Sequence, residues 1–144
     1  MAAEGSSTGI NSKSEARNSK QIQMTEIQNT KQYDLEERTL EFARKCRAFI
    51  KLLPKTIANI EDSKQLTRSS GSVGANYIEA NESFSKKDFI LRTKISRKEV
   101  KESRYWLKLV DINSDEGLEK ERQSLIKEAT ELMNIFGSII RKSE

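Results

Sequence analysis

The chain has 144 residues, of which 33% are charged, and its 26 Lys and Arg against 22 Asp and Glu give a formal net charge of +4. This length suits one domain with a modest core, and the chain contains one cysteine and no histidine. Cys/His zinc sites, Ser-His and Cys-His nucleophile pairs and histidine acid–base catalysis are therefore excluded.

The N-terminal segment, residues 1–32, is polar and rich in Ser, Asn, Gln and Thr. This composition is typical of a flexible tail, with helix from Ser19 onward as the alternative. Neither this segment nor the rest of the chain contains a signal-peptide core or the roughly 20 apolar residues of a membrane span. We therefore expect a cytoplasmic protein without a membrane partner.

A bundle domain is predicted for residues 33–144, beginning with two helices over 34–53 and 57–82. Apolar residues at steps of three and four indicate both helices, and Pro54 ends the first. The first stripe consists of Leu35, Thr39, Phe42, Cys46, Phe49 and Leu53. The second consists of Ile57, Ile60, Leu66, Val73, Tyr77 and Ile78.

Two further helices are predicted over 86–111 and 115–142. Ser85 is the expected N-cap of the third helix, with Asp88 in the place of a capping-box acid. Its seam consists of Phe89, Thr93, Ser96, Val100, Ser103, Leu107 and Val110. The seam of the fourth consists of Leu118, Leu125, Ala129, Leu132, Phe136 and Ile139.

Four amphipathic helices with short connections predict an all-α fold, an up-down-up-down antiparallel four-helix bundle. The spacing of seven along the seams favours shallow, left-handed crossings. Phe84, Ile95, Tyr105 and Trp106 lie off the main seams. They indicate a second contact surface, most naturally between subunits.

Small residues interrupt the second helix in the run "SSGSVGA", residues 69–75. The run lacks the spacing of a phosphate-binding loop and follows no predicted strand. Glycine in a helix interior costs about 0.5–1 kcal/mol, so two of them indicate a compensating close contact. We expect Ser70, Gly71 and Gly74 to accept the large side chains of Tyr105 and Trp106 or a neighbouring subunit.

Three carboxylates, Glu79, Glu99 and Glu102, form a second candidate cluster. Paired carboxylates can act as acid and base or bind a metal ion. The structural alternative is that they form interhelical hydrogen bonds and ion pairs with Gln65, Arg68, Asn76 and Lys98. We favour this alternative and expect no metal, no cofactor and no catalysis, with Cys46 a buried small hydrophobe.

Basic charge is concentrated in residues 64–98, where eight Lys and Arg face three acids. Such a cluster is either a phosphate-binding surface or a solvated helix face. If subunits form a ring, a modest patch is repeated into a large positive field.

The run from Gln65 to Val110 closely resembles the 23S rRNA intervening sequence protein family of bacteria. The resemblance is carried by Gln65-Leu66, Arg68-Ser69-Ser70, Ser72-Val73-Gly74-Ala75-Asn76, Glu79-Ala80, Ser85-Lys86-Lys87-Asp88-Phe89, Glu102 and Tyr105-Trp106-Leu107. Members of this family are similar to the accessory variability determinant of diversity-generating retroelements, a basic pentameric barrel that binds nucleic acid and a reverse transcriptase.

The resemblance implies a non-enzymatic homopentamer of four-helix bundles that binds structured RNA or an RNA/DNA hybrid. The alternatives are a scaffold that docks a protein such as a reverse transcriptase and a helical RNase toxin, although the latter usually needs a histidine. The predicted phosphate-contacting residues are Lys86, Lys87, Arg92, Lys94, Arg97, Lys98, Lys101 and Arg104.

Overall fold

The computed structural model describes the backbone of residues 19–144 and the side chains from residue 34 onward. Its four helices are α1 (Ser19–Leu52), α2 (Ile57–Asn81), α3 (Lys86–Leu109) and α4 (Glu116–Ser143). The described residues form no strand, which confirms the all-α class. The chain divides into two compact units, Met1–Leu35 and Glu36–Glu144, and the second holds α2, α3, α4 and the later part of α1.

Helix α1 begins 15 residues before the predicted start at residue 34. The added segment, residues 19–33, contains neither Gly nor Pro and is rich in Gln, which has good helix propensity. The predicted flexible tail therefore overlaps a helix from Ser19, the alternative that its composition left open. The remainder of that tail, residues 1–18, lies outside the described residues.

Side-chain caps fix the starts of the other three helices. The hydroxyl of Thr56 accepts a hydrogen bond from the Asn59 amide at 3.1 Å, and that of Ser85 accepts from the Asp88 amide at 3.0 Å. At α4 the Asp115 carboxylate accepts from the Leu118 amide at 2.9 Å. These bonds satisfy amides that have no partner within the first helical turn.

The core is formed by most of the predicted stripes of α1, α3 and α4, but only by part of the stripe of α2. The prediction was wrong for Phe89 of α3 and Ile139 of α4, which are half-buried, and α4 buries Ile140 instead. The predicted α1 residues from Leu35 to Leu53 are all buried, as are the α3 residues from Thr93 to Val110. On α2 the prediction was wrong for Ile57, Ile60 and Ile78, which are exposed. The positions that α2 buries instead are Asn59, Leu66, Ser69, Ser70, Val73, Tyr77 and Ala80.

Small hydroxyl residues lie between α2 and α3 and allow the two backbones to approach. The Ser96 hydroxyl donates to the Val73 carbonyl of the facing helix at 2.9 Å. The Ser103 hydroxyl donates to the Ser69 hydroxyl at 2.8 Å and lies 2.9 Å from the carbonyl of Glu99. These buried hydroxyls are thus paired, which removes the cost of burying them.

Polar contacts also connect the other neighbouring helices. On α1 the guanidinium of Arg38 reaches Glu128 at 2.8 Å and Glu131 at 2.6 Å on α4. On α2 the Asn81 amide donates to Glu36 of α1 at 2.8 Å. The part of the chain from Glu36 onward is therefore a four-helix bundle in which each helix is linked to its neighbours.

Candidate nucleic-acid interface

The predicted phosphate-contacting residues all lie on α3, and most of them are exposed. Those open to solvent are Lys86, Lys87, Lys94, Arg97, Lys98 and Lys101, whereas Arg92 and Arg104 are half-buried. Burial of Thr93, Ser96, Val100 and Ser103 orients α3, because the basic residues occupy the remaining positions of each turn. One helix therefore presents its buried seam and its basic surface on different sides.

Few of these cations are neutralised by acids. Arg92 lies 3.9 Å from Asp88 one turn earlier, and the Lys94 ammonium lies 3.5 Å from the Glu144 carboxylate. Arg104 donates to the Thr130 hydroxyl at 3.0 Å. No described acid lies within 4.0 Å of the charged groups of Lys86, Lys87, Arg97, Lys98 and Lys101, the remaining five. Their charge is thus available to an external anion.

A groove of about 580 Å³ runs between α3 and α4 and gathers the middle of this surface. Its α3 side consists of Lys94, Arg97, Lys98 and Lys101. Its α4 side consists of Met133, Asn134, Gly137 and Arg141. The other four predicted cations, Lys86, Lys87, Arg92 and Arg104, do not line the groove.

Arg141 is a member of this groove that sequence reasoning missed. It lies in the last turn of α4, where a basic residue is also expected simply because it favours the negative end of the helix dipole. The available signal was its position one turn after Gly137, since both fall on one face of α4. Only the packing of α4 against α3 places that face beside Arg97.

The predicted carboxylate cluster is divided by the structure. Arg68 of α2 binds Glu99 at 3.1 Å and Glu102 at 2.6 Å, and the Trp106 indole donates to Glu102 at 3.1 Å. This network is interhelical, as the structural alternative expected. Glu79 and Gln65 are exposed and form no part of it, and the Asn76 amide donates to a carbonyl of its own helix, that of Ser72.

The electrostatics of this cluster follow from its hydrogen bonds. The indole of Trp106, followed by the guanidinium of Arg68 and the charge of Lys98, lowers the pKa of Glu102 despite partial burial. The two carboxylates raise the pKa of Arg68, which is already far above neutrality. Among the described residues, no group of three His, Cys, Asp or Glu is arranged to hold a metal ion.

The two glycines of α2, Gly71 and Gly74, lie against α1, so the expectation that they accept Tyr105 and Trp106 was wrong. A Cβ on Gly74 would lie 2.8 Å from the Thr39 hydroxyl, and one on Gly71 would lie 3.3 Å from the Arg47 guanidinium. The ring of Tyr105 instead packs edge-on against Trp106, with centroids 4.9 Å apart.

Cys46, which also lies on α1, is fully buried. Burial raises the pKa of its thiol to about 12, against smaller opposing contributions from a hydrogen bond with Ser70 and the charge of Arg47. A thiol with so high a pKa forms little nucleophilic thiolate at neutral pH. Cys46 is therefore a core residue.

Large apolar side chains are exposed at the start of α3 and along its length. Phe84 is fully exposed just before the helix, and Leu91, Tyr105 and Leu109 are each about half exposed. Leu91 and Leu109 are five helical turns apart and so share one face. Of the other residues predicted to lie off the seams, Ile95 and Trp106 are half-buried.

These features define an all-α protein, a four-helix bundle with a basic groove between its last two helices. Residues 31–138 match the family described as 23S rRNA-intervening sequence protein, and the chain belongs to this family. The resemblance seen in residues 65–110 is thereby confirmed.

A solved structure supports the same assignment. The chain is 34% identical, with a TM-score of 0.64, to a protein with unknown function from the S23 ribosomal protein family of Bacteroides thetaiotaomicron. The similarity covers 73% of this chain and 96% of that protein. A search of the curated proteins found no match. No helix within the described residues is long and apolar enough to cross a membrane.

Proposed function

We propose that this protein is a non-catalytic, cytoplasmic nucleic-acid-binding module that contacts phosphates through the basic surface of α3. The observation that carries this proposal is the row of cations at Lys94, Arg97, Lys98 and Lys101, which lines one side of an open groove. Among the described acids, only Glu144 lies within 4.0 Å of this row, beside Lys94. Long, exposed Lys and Arg side chains contact phosphate oxygens without reading bases. Binding is therefore expected to tolerate changes of sequence.

Structured RNA or an RNA/DNA hybrid is the proposed ligand. The family name refers to 23S rRNA, which supports RNA over double-stranded DNA as the ligand. A groove lined by cations on both sides fits a backbone that presents phosphates on a firm helical scaffold. A flexible single strand would lose more conformational entropy on binding to the same groove.

The test is a binding titration of a structured RNA against salt concentration, with two matched variants. The double variant Lys98→Gln and Lys101→Gln removes two groove cations, so it should weaken binding and flatten the log-log salt slope by about two. The control double variant Lys45→Gln and Lys51→Gln removes two exposed cations from α1 and should leave affinity nearly unchanged. Absence of any binding at low salt would overturn the proposal.

The proposed assembly is a homopentameric ring of up-down-up-down antiparallel bundles. The contacts support this topology, since Glu36 and Arg47 of α1 face Asn81 and Thr67 of α2, in reversed order. The exposed apolar residues Phe84, Leu91, Tyr105 and Leu109 offer surface for a contact between subunits. Mass determination in solution tests the ring, and a monomer would contradict it.

A second candidate function is a scaffold that docks a protein such as a reverse transcriptase. The same exposed apolar residues favour it, because the buried centres of protein interfaces are more apolar than the rest of the surface and are enriched in aromatic residues. A neighbouring reverse-transcriptase gene together with a co-purifying complex would support this candidate. If Tyr105→Ser loses that complex but still binds RNA, the docking surface is distinct from the phosphate-binding surface.

A further inference from the structure

We propose that the groove between α3 and α4 holds a discrete site for a phosphate monoester, bound by Arg97 and Arg141 above Gly137. This inference rests on the proposed function in that both use the same basic surface. It adds a specific ligand chemistry, a terminal phosphate group with two negative charges, such as the end of a nucleic-acid strand. The internal phosphates of a backbone are diesters and carry one charge each.

The convergence of two arginines from different helices is the first support. A Cβ on Gly137 would lie 3.3 Å from Arg141 Nη1 and 3.7 Å from Arg97 Nη1. Both guanidiniums therefore approach one point, and the absence of a side chain at residue 137 keeps that point open. Two planar guanidiniums can together donate several hydrogen bonds to the oxygens of one phosphate.

The charge around this point is the second support. The groove contains five cations, namely Lys94, Arg97, Lys98, Lys101 and Arg141. The described acid that contacts them within 4.0 Å is Glu144, which lies 3.5 Å from Lys94. Glu102 also acts on Lys98 through its charge, but it is held by Arg68 and Trp106. This excess of positive charge in the groove favours a dianion over a monoanion, because the electrostatic attraction grows with the charge of the ligand.

The size of the groove is the third support. Its volume of about 580 Å³ is within the roughly 300–1,000 Å³ of ordinary small-molecule sites, so a phosphate and its attached nucleoside both fit. Met133 supplies an apolar surface and Asn134 a neutral amide next to the cations. A strand end or a free nucleotide presents the same phosphate chemistry, and the experiment must separate these two sources.

The experiment compares one structured RNA with and without a 5′-phosphate, together with adenosine monophosphate as a competitor. We expect the phosphorylated RNA to bind about tenfold more tightly, the effect of one or two additional charge-assisted hydrogen bonds. If adenosine monophosphate binds the protein and displaces the phosphorylated RNA at the same concentrations, free nucleotides are ligands as well. Preference without such competition would identify the strand end.

Three variants localise the effect. Arg141→Gln should abolish the preference for the phosphorylated RNA, and Lys142→Gln, which removes the same charge from the next residue, should retain it. Arg97→Gln should also abolish the preference, because Arg97 supplies the second guanidinium near Gly137.

Each outcome distinguishes this inference from the proposed function. Equal affinity for the two RNAs, without binding of adenosine monophosphate, overturns the monoester site while general RNA binding stands. Binding of adenosine monophosphate without binding of either RNA supports the site and overturns the nucleic-acid function. Loss of the preference in Lys142→Gln as well would mean that net charge, rather than this geometry, is responsible, and would also overturn the site.

Discussion

At the scale of single residues, the pair of carboxylates on α3 shows how a potentially reactive group becomes structural. Glu99 is almost buried, with a side chain 10% exposed, and it depends on Arg68 for its countercharge. Glu102 is more exposed and accepts hydrogen bonds from both Arg68 and Trp106. Because these donors favour the ionised carboxylate, Glu102 stays charged and is poorly suited to act as a general acid near neutral pH.

This arrangement predicts a specific dependence of stability on pH. The pKa of Glu102 is lower in the folded protein than its ordinary value of 4.5, so the unfolded chain takes up the proton first as the pH falls. The stabilisation that ionised Glu102 contributes is complete at pH values above its ordinary pKa. It is lost as the pH falls through the lower pKa of the folded protein. Glu102→Gln should therefore cost about 0.5–1 kcal/mol at neutral pH, the range of a partly exposed ion pair, and much less in acid.

Denaturant unfolding at neutral and acid pH measures this difference, with the fluorescence of Trp106, the chain's single tryptophan, as the signal. Glu79→Gln is the matched control, because it removes an exposed carboxylate that takes no part in the network. A cost of Glu102→Gln that does not change with pH would contradict the assignment. So would a cost equal to that of the control.

At the scale of the helix, α2 shows that small residues can form the packing face. Gly74 lies against Thr39, whose buried hydroxyl donates to the Glu36 carbonyl at 2.8 Å and is therefore held in place. Gly71 lies against the end of the long Arg47 side chain. The two glycines share one face of α2 but differ in how far their neighbours can move.

Alanine substitution at these two positions should have opposite effects. Gly74→Ala places a methyl group 2.8 Å from the fixed Thr39 hydroxyl, so we expect a net destabilisation of about 1 kcal/mol after the gain in helix propensity. Gly71→Ala meets only a movable guanidinium at 3.3 Å and should be neutral or stabilising by a few tenths of a kcal/mol. Thermal unfolding of the two variants checks this order, and the reverse order would refute the packing of α1 on Gly74.

The same helix shows what periodicity can and cannot predict. The stripe of α1, and that of α3 from Thr93 onward, were predicted correctly because their buried positions are marked by apolar residues or by a continuous spacing of seven. On α2 the strongly apolar Ile57, 84% exposed, lies on the outer side, and the buried positions hold Asn59, Ser69 and Ser70. Their burial depends on tertiary packing, as in the pairing of Ser69 with Ser103 of α3, and a single sequence does not contain that information.

At the scale of the whole molecule, the candidate site was predictable only on its α3 side. Charge clustering identified Lys94, Arg97, Lys98 and Lys101, because these lie within one helix at fixed spacing. Arg141 could not be placed, since its approach to Arg97 depends on the register of α4 against α3. Local spacing thus predicts one wall of a groove, whereas tertiary packing decides which residues form the other.

One residue that the sequence did not indicate joins the connection between α1 and α2 to the connection between α3 and α4. Asn59, which is 2% exposed, donates to the carbonyls of Pro54 at 3.0 Å and Asp111 at 2.8 Å. Its side-chain oxygen accepts from the Asp111 amide at 2.9 Å. The connection between α1 and α2 is thereby tied to the connection between α3 and α4.

Asn59→Ala should accordingly loosen both connections at once and lower the free energy of unfolding by about 2–3 kcal/mol, because it leaves the Asp111 amide and carbonyl without this partner. Asn76→Ala is the control, since that amide bonds only within its own helix, and its cost should stay below about 0.5 kcal/mol. Hydrogen exchange followed by mass spectrometry should show faster exchange around residues 53–57 and 110–115 together in Asn59→Ala. Faster exchange in only one of the two connections would contradict the proposed role of Asn59, because removing a residue that holds both connections should release both.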